Sequence, residues 1–212
     1  MSERESLVRE LRLRPADLDR LSAYEALVRK WSNVKNLVSA SALKDLWARH
    51  LLDSAQVQRI IPGARIWADF GSGGGFPGLV TAILLADEPA SHVHLVESDG
   101  RKCAFLRAVS RETGLRTTVH HARIEDVAGD LTGIEAVSAR ALADMDQLVA
   151  WAFPLLEKGA VGVFPKGKGH LEELTNLTRD SRFKIDLRPS ISQSDGAIVL
   201  VTRRDPSDGD QS

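Results

Sequence analysis

From Ala16 onward the apolar positions fall at helical intervals: Leu18, Leu21, Tyr24, Leu27, Val28 and Trp31 recur three or four residues apart and make one apolar face. The pattern predicts helical structure from Ala16 to about Leu52. A second stretch begins after Ser39 or Ser41, either of which suits an N-cap, and carries Leu43, Leu46, Trp47 and Leu51. Residues 1–60 therefore read as a helical cap. Pro62-Gly63 interrupts the chain, and the texture then changes to short apolar runs alternating with helical stretches. Ile66–Phe70, Val93–Glu97, Thr117–His120, Ala136–Ala139 and Val161–Phe164 read as buried strands, an alternation that predicts a mainly parallel sheet with helices on both faces. Phe183–Leu187 and Ala197–Thr202 are two further strands joined by the turn-rich Pro189–Gly196, so antiparallel pairing is expected. The expected architecture is an α/β domain over residues 61–204 with a seven-stranded, mostly parallel sheet. Asp205–Ser212 holds no apolar residue and is expected to be a disordered tail.

Composition narrows the class. A chain of 212 residues fits one core with room for an appendage, and 43% apolar with 27% charged residues is the balance of a soluble globular protein. Its longest apolar runs, Gly78–Ala86 and Leu148–Leu156, are too short to span a bilayer. Met1–Arg14 is charge-studded and has no apolar signal region, so a cytoplasmic location without a membrane partner is expected. Cys103 is the single cysteine, which excludes an internal disulfide and a cysteine zinc cluster. The net charge of −1 hides an asymmetry. Residues 1–60 carry 11 basic and 8 acidic groups, 61–159 carry 9 and 13, and 160–204 carry 8 and 5. The basic ends suit a phosphate-tracking surface, and a solvated helix face accounts for them equally well.

The most informative segment is Trp67-Ala68-Asp69-Phe70-Gly71-Ser72-Gly73-Gly74-Gly75-Phe76-Pro77-Gly78, which leaves a strand and enters a helix near Pro77. Its glycines let a cofactor approach the backbone without meeting a side chain. Glu97, 19 residues beyond Gly78 at the end of the second strand, is placed to accept the two hydroxyl hydrogens of a ribose. Gly73–Gly78 also satisfies the G-x-G-x-x-G pattern of nicotinamide enzymes. Asp69, two residues before the first glycine, tilts the choice. The resulting Asp-x-Gly-x-Gly-x-Gly resembles the first motif of Rossmann-like methyltransferases, in which the acid orients the loop and the aminoacyl end of S-adenosylmethionine.

With that loop in place, the stretch from Trp31 to Lys168 resembles the bacterial small-subunit ribosomal RNA guanine-N7 methyltransferases, the glucose-inhibited division protein B family. The resemblance is carried by Asn36-Leu37-Val38, Arg49-His50-Leu51-Leu52-Asp53-Ser54, the glycine loop with its Phe-Pro-Gly ending, Glu97-Ser98-Asp99-Gly100-Arg101-Lys102 with Phe105-Leu106, Arg123-Ile124-Glu125, Ser138-Ala139-Arg140-Ala141 and Pro165-Lys166-Gly167. Each motif is degenerate alone; their joint order and spacing are specific. The resemblance implies a class I, Rossmann-like methyltransferase with S-adenosylmethionine as cofactor. It implies that Gly71 and Phe76 line the cofactor site and that Ile124-Glu125 meet the adenine, with Arg140 close to where methyl donor and base meet; Asp69, Gly73, Gly75 and Glu97 of the loop and second strand, with Arg140, complete the expected cofactor contacts. Its implied acceptor is N7 of a guanine in the decoding-region loop of 16S ribosomal RNA, met by a monomer within the small subunit or an assembly intermediate. Two departures stand out: Glu97 replaces the aspartate of many relatives, and Phe164-Pro165 precedes Lys166 where a less constrained dipeptide is expected.

Guanine N7 has a lone pair and no proton, so its methylation needs alignment rather than a general base. The expected catalytic residues are Arg140 and Lys166, positioning the guanine O6 edge or its phosphate. Arg101, Lys102, Arg123, Lys166 and Lys168 are the candidate RNA contacts at the carboxyl edge of the sheet. Against this stand a solvated helix start for Arg101 and Lys102 and an ion pair of Arg123 with Glu125 or Asp126. Cys103 reads as a small buried residue rather than a nucleophile. His92, His94, His120 and His121 sit on different strands without a cysteine partner, so no metal site is expected. Trp31, Trp47, Trp67 and Trp151 read as core residues. Two competing functions remain: a nicotinamide-dependent oxidoreductase, and a non-catalytic RNA-binding module that senses the nucleoside cofactor.

Overall fold

A computed structural model describes residues 3–35, 43, 45–175 and 177–204. Ser39, Ser41, Asn36-Leu37-Val38 and the tail 205–212 lie outside the described residues. The cap opens with α1 (Glu3–Glu10) and α2 (Pro15–Lys35). Pro15 begins α2, where its missing amide hydrogen costs no helical bond. Asp17 in its first turn accepts the Arg14 backbone N–H at 2.9 Å and the Arg14 guanidinium at 2.7 Å.

The cap continues differently from the regular helix expected near Leu52. Leu46–Leu52 is a π-helical turn that runs directly into α3 (Asp53–Ile60). A π turn takes an extra residue per turn. Here it buries Leu46, Leu51 and Leu52 together while turning His50 and Asp53 toward the sheet.

The sheet is built from β1 (Ile66–Phe70), β2 (His92–Glu97), β3 (Thr117–His121), β4 (Ala136–Ala139), β5 (Val161–Lys166), β6 (Phe183–Pro189) and β7 (Ala197–Arg203), in spatial order β3-β2-β1-β4-β5-β7-β6. β3, β2, β1, β4 and β5 run parallel; β7 pairs antiparallel with β5 and with β6. Every strand expected from the apolar pattern is present, with ends shifted by two residues or fewer. Between the strands come α4 (Gly78–Leu84), α5 (Gly100–Glu112), α6 (Ile124–Val127), α7 (Met145–Leu156) and the short α8 (His170–Glu173).

Val161–Phe164 was expected to stop before Pro165, but β5 continues through Pro165 and Lys166, which pair with Ile198 and Ala197 of β7. The physical reason lies in the register. β4 pairs with β5 only as far as Ser138 and Val163. At residue 165 no β4 ladder bond is left for a proline to break, and edge positions tolerate proline.

Two apolar clusters fill the two faces. On one face, Leu21, Tyr24, Leu27 and Val28 of α2 join Leu51 and Leu52, Leu79 and Ile83 of α4, Leu95, and Phe105 and Val109 of α5. On the other, Phe70, Val96 and Val137 join Met145, Leu148 and Leu156 of α7 with Phe164 and Val199. A fully buried side chain of this size contributes about 1.5–3 kcal/mol. The cap thus shares a core with the strands that carry the site. Chain direction reverses its progress across the sheet between β1 and β4, so their carboxyl ends open a crevice, the position where such folds bind ligands.

Candidate active site

At that crevice lies a cleft of about 430 Å³ whose wall includes Gly71, Gly73, Phe76, Glu97, Ile124, Glu125, Arg140 and Trp151. Gly71 has φ +62°, and an added Cβ would stand 2.6 Å from Leu142 Cδ1. Gly75 has φ +93°, and a Cβ there would collide with Leu79 and Tyr24. Positive φ strains a side chain at either position, and at Gly75 the added Cβ would also press on buried Leu79 and Tyr24. Glu97 holds the loop: its carboxylate accepts the Gly73 N–H at 2.9 Å and the Asp99 N–H at 2.8 Å. Asp99 in turn caps α5 by accepting from Arg101 N and Lys102 N.

Asp69 and Gly75 were expected at the cofactor and do not reach this wall. Asp69 is buried beneath the loop, where Ser138 Oγ donates to its Oδ1 at 2.7 Å and Ser72 Oγ donates to its carbonyl at 2.9 Å. Burial pushes its pKa up to about 6, against the lowering effect of the Ser138 hydrogen bond. A Cβ on Gly78 would stand 2.5 Å from Asp69 Oδ2, so the acid packs directly against the first residue of α4. Asp69 therefore shapes the loop from below.

Beside the first cleft lies a larger one of about 630 Å³, walled by His50, Asp53, Arg140, Pro165, Lys166, Glu173, Ser190 and Gln193 among others. Arg140 and Ala141 belong to both walls. Ala141 has φ +50°, a left-handed conformation that costs a non-glycine residue of order 1 kcal/mol or more and is often kept at functional sites. The Arg140 guanidinium donates to Asp53 Oδ2 at 3.2 Å, contacts His50 Nδ1 at 2.7 Å and stands 5.2 Å from the Phe76 ring centre. Asp53 is 4% exposed, and its other oxygen accepts from Gln56 at 2.7 Å and from Ser192 Oγ at 2.6 Å. Gln56 Oε1 also accepts the Ile191 N–H at 3.1 Å. The β6–β7 turn, α3 and β4 are thereby tied at one arginine.

A glycine-loop cleft joined at one arginine to a second, open cleft is an arrangement for bringing two ligands together. The family model described as rRNA small subunit methyltransferase G, GidB, matches residues 17–195. Curated relatives carry the name ribosomal RNA small subunit methyltransferase G. That of Parvibaculum lavamentivorans is 50% identical over 193 residues, covering 91% of this chain and 85% of the relative. That of Rhizobium meliloti is 42% identical over 196 residues, covering 90% and 91%. The chain belongs to this family. It is a methyltransferase, which sets aside the oxidoreductase and non-catalytic readings. Solved structures agree on the fold. A methyltransferase from Geobacter sulfurreducens superposes with TM-score 0.60 at 16% identity, covering 96% of this chain and 98% of its own. An O-methyltransferase from Bacillus cereus, solved with SAH, superposes with TM-score 0.60 at 16% identity, covering 85% and 91%.

In this methyltransferase the expected site residues separate into groups. Gly71, Gly73, Phe76, Glu97, Ile124, Glu125 and Arg140 line the first cleft, joined there by Lys102 and Arg123. Lys166 lines only the second; its Nζ donates to Ala143 O at 2.8 Å and to Glu173 Oε2 at 2.6 Å. Arg101 is exposed and pairs with Asp99 at 3.3 Å, and Lys168 is exposed in the loop after β5. Glu125 is bonded to Trp151 Nε1 at 2.9 Å.

Trp151, expected in the core, is half-buried on the first cleft's wall because its indole N–H reaches Glu125 there. Cys103 is buried, its thiol against Glu97 O, and burial raises its pKa, which disfavours a thiolate. His94 and His120 face each other at 3.0 Å, and among the described residues no group of three histidine, cysteine or acidic side chains could hold a metal ion.

Four contributors were not singled out from the sequence. Tyr24 donates to Gly74 O and packs at a tilt against Phe76 with ring centres 5.4 Å apart, so α2 braces the glycine loop. His50 and Asp53 hold Arg140, and Glu173 holds Lys166. His50 and Asp53 did stand in a family motif, Arg49–Ser54, without an assigned role. Tyr24 showed only as one tooth of an apolar helical face, and Glu173 gave no signal.

Proposed function

We propose that this S-adenosylmethionine-dependent ribosomal RNA methyltransferase acts on N7 of a guanine in the decoding-region loop of 16S ribosomal RNA, as a cytoplasmic monomer meeting the small subunit or an assembly intermediate. The observation that carries the reading is Arg140 on the shared wall of the two clefts. The first cleft fits the cofactor: its volume lies within the range of small-ligand sites, glycines leave room for close backbone approach, and Glu97 offers a carboxylate to ribose hydroxyls. When bound, S-adenosylmethionine supplies a methyl group on a positively charged sulfur. The second cleft receives the base.

The protein's own part is alignment. N7 has no proton to lose, so no base is required, and orientation alone is worth up to about 7–11 kcal/mol in well-aligned reactions. Arg140 donates toward guanine O6, leaving the N7 lone pair free to attack the methyl carbon. The target base must leave its stack to enter the cleft. Methylation at N7 leaves a positive charge on the purine, which a bare guanidinium would oppose. Asp53, bonded to Arg140 at 3.2 Å, balances that charge within the same wall.

Small subunits reconstituted with 7-deazaguanosine at the target position test the atom assignment. The protein is expected to transfer a methyl group to the guanosine subunits and none to the 7-deaza ones. Equal transfer to both would place the methyl group on another atom.

A further inference from the structure

We propose that Glu173 is the residue that selects guanine, by accepting the N1–H of the base while Lys166 donates to O6. The inference rests on the proposed function and adds a substrate contact to the second cleft. Lys166 Nζ and Glu173 Oε2 are 2.6 Å apart, and both side chains line the cleft into which the base is proposed to enter. Lys166 is fixed on β5 by Ala143 O at 2.8 Å and keeps a further N–H. Glu173 is 36% exposed at its side chain, and a carboxylate has lone pairs beyond the one Lys166 uses.

The donor and acceptor match one base. Arg140 is shared by both clefts, whereas Lys166 and Glu173 line the second cleft alone, donor and acceptor side by side. Along the guanine edge the order is N7, O6 and N1–H: nucleophile, acceptor, donor. Adenine presents N7, a donor amino group and an acceptor N1, so each contact after N7 would meet its own kind. A site built to hydrogen-bond one base discriminates against the other, because Lys166 would face an amino group and Glu173 an unprotonated ring nitrogen.

Reactivity adds a second argument. Methylation at N7 withdraws electrons from the ring and makes N1–H more acidic. A carboxylate on that proton therefore binds more tightly as the reaction proceeds, which raises kcat rather than merely lowering KM. Glu173 also supplies negative charge beside a purine that becomes a cation.

The test is a cycle between enzyme and base. Glu173→Ala, Glu173→Gln and the parent are assayed with S-adenosylmethionine on small subunits reconstituted with guanosine or N1-methylguanosine at the target. On guanosine, Glu173→Ala is expected to lower kcat by about 10- to 100-fold with unchanged S-adenosylhomocysteine affinity. Glu173→Gln is expected to recover much of the loss, because its amide oxygen still accepts. N1-methylguanosine is expected to cost the parent a similar factor and Glu173→Ala almost nothing more. Independent, multiplying penalties would overturn the contact and leave Glu173 as a mere tether for Lys166. Absence of N7 methylation by the parent on guanosine subunits would overturn the function itself, and the inference with it.

Discussion

Arg140 carries the largest single expectation at the residue scale. It touches His50, Asp53 and Phe76 and stands on both cleft walls, so Arg140→Ala removes an aligning group without emptying either cleft. Loss of one aligning or charge-stabilising donor typically costs about 10²–10³ in rate. Arg140→Ala is expected to lower kcat/KM for RNA by about that factor, and S-adenosylhomocysteine affinity, read by calorimetry, by far less. Comparable losses in both would make Arg140 a cofactor ligand only. Asp69 carries a second expectation. Burial raises its folded pKa to about 6 from 3.8, so the folded chain holds the proton more tightly than the unfolded chain between those values. Stability relative to Asp69→Asn therefore falls as pH rises from about 4 to about 6 and is level above, a difference of at most about 3 kcal/mol measured by urea unfolding. Stability relative to Asp69→Asn that rises with pH across this window would contradict the buried-acid account.

Residues whose role is set by chain-local chemistry were readable: the glycines that need positive φ, and Glu97 and Ile124 at strand and helix ends. Tyr24 and Glu173 were not, because their partners lie 50 residues away at Gly74 and across a turn at Lys166, and helical periodicity shows only which face is apolar. Asp69 was readable as special but not as buried.

At the element scale, the β6–β7 hairpin and α3 act on the site through Asp53. The apolar pattern predicted both hairpin strands, yet nothing in Pro189–Gly196 announced that Ser192 would reach Asp53 and that Ile191 N–H would reach Gln56. The π turn was equally silent, because Leu46, Leu51 and Leu52 suit an α-helical face as well. Ser192→Ala removes a hydrogen bond to a buried carboxylate, worth about 1.5–3 kcal/mol. It is expected to slow RNA methylation several-fold and leave cofactor affinity unchanged. Asp53→Ala is expected to destabilise the fold by on the order of 3 kcal/mol, because Arg140 loses a buried partner. If Ser192→Ala weakened cofactor binding as much as turnover, the hairpin would not act through the second cleft alone.

For the whole molecule, the strand order decides the chemistry's address. The reversal between β1 and β4 opens one crevice, the cap packs against the sheet beside it, and the two clefts meet at Arg140 just past β4. Alternating strands and helices announced the sheet class, but pattern alone does not show that Arg140 and Lys166 line one cleft. The central claim is that this arrangement methylates guanine N7 in small-subunit RNA. Its most direct test is transfer of radiolabelled methyl groups from S-adenosylmethionine to small subunits from cells lacking this gene, with the labelled nucleotide mapped. The expected result is one label, at a guanine N7 in the decoding-region loop; cofactor binding with no label on subunits or their free RNA would contradict it.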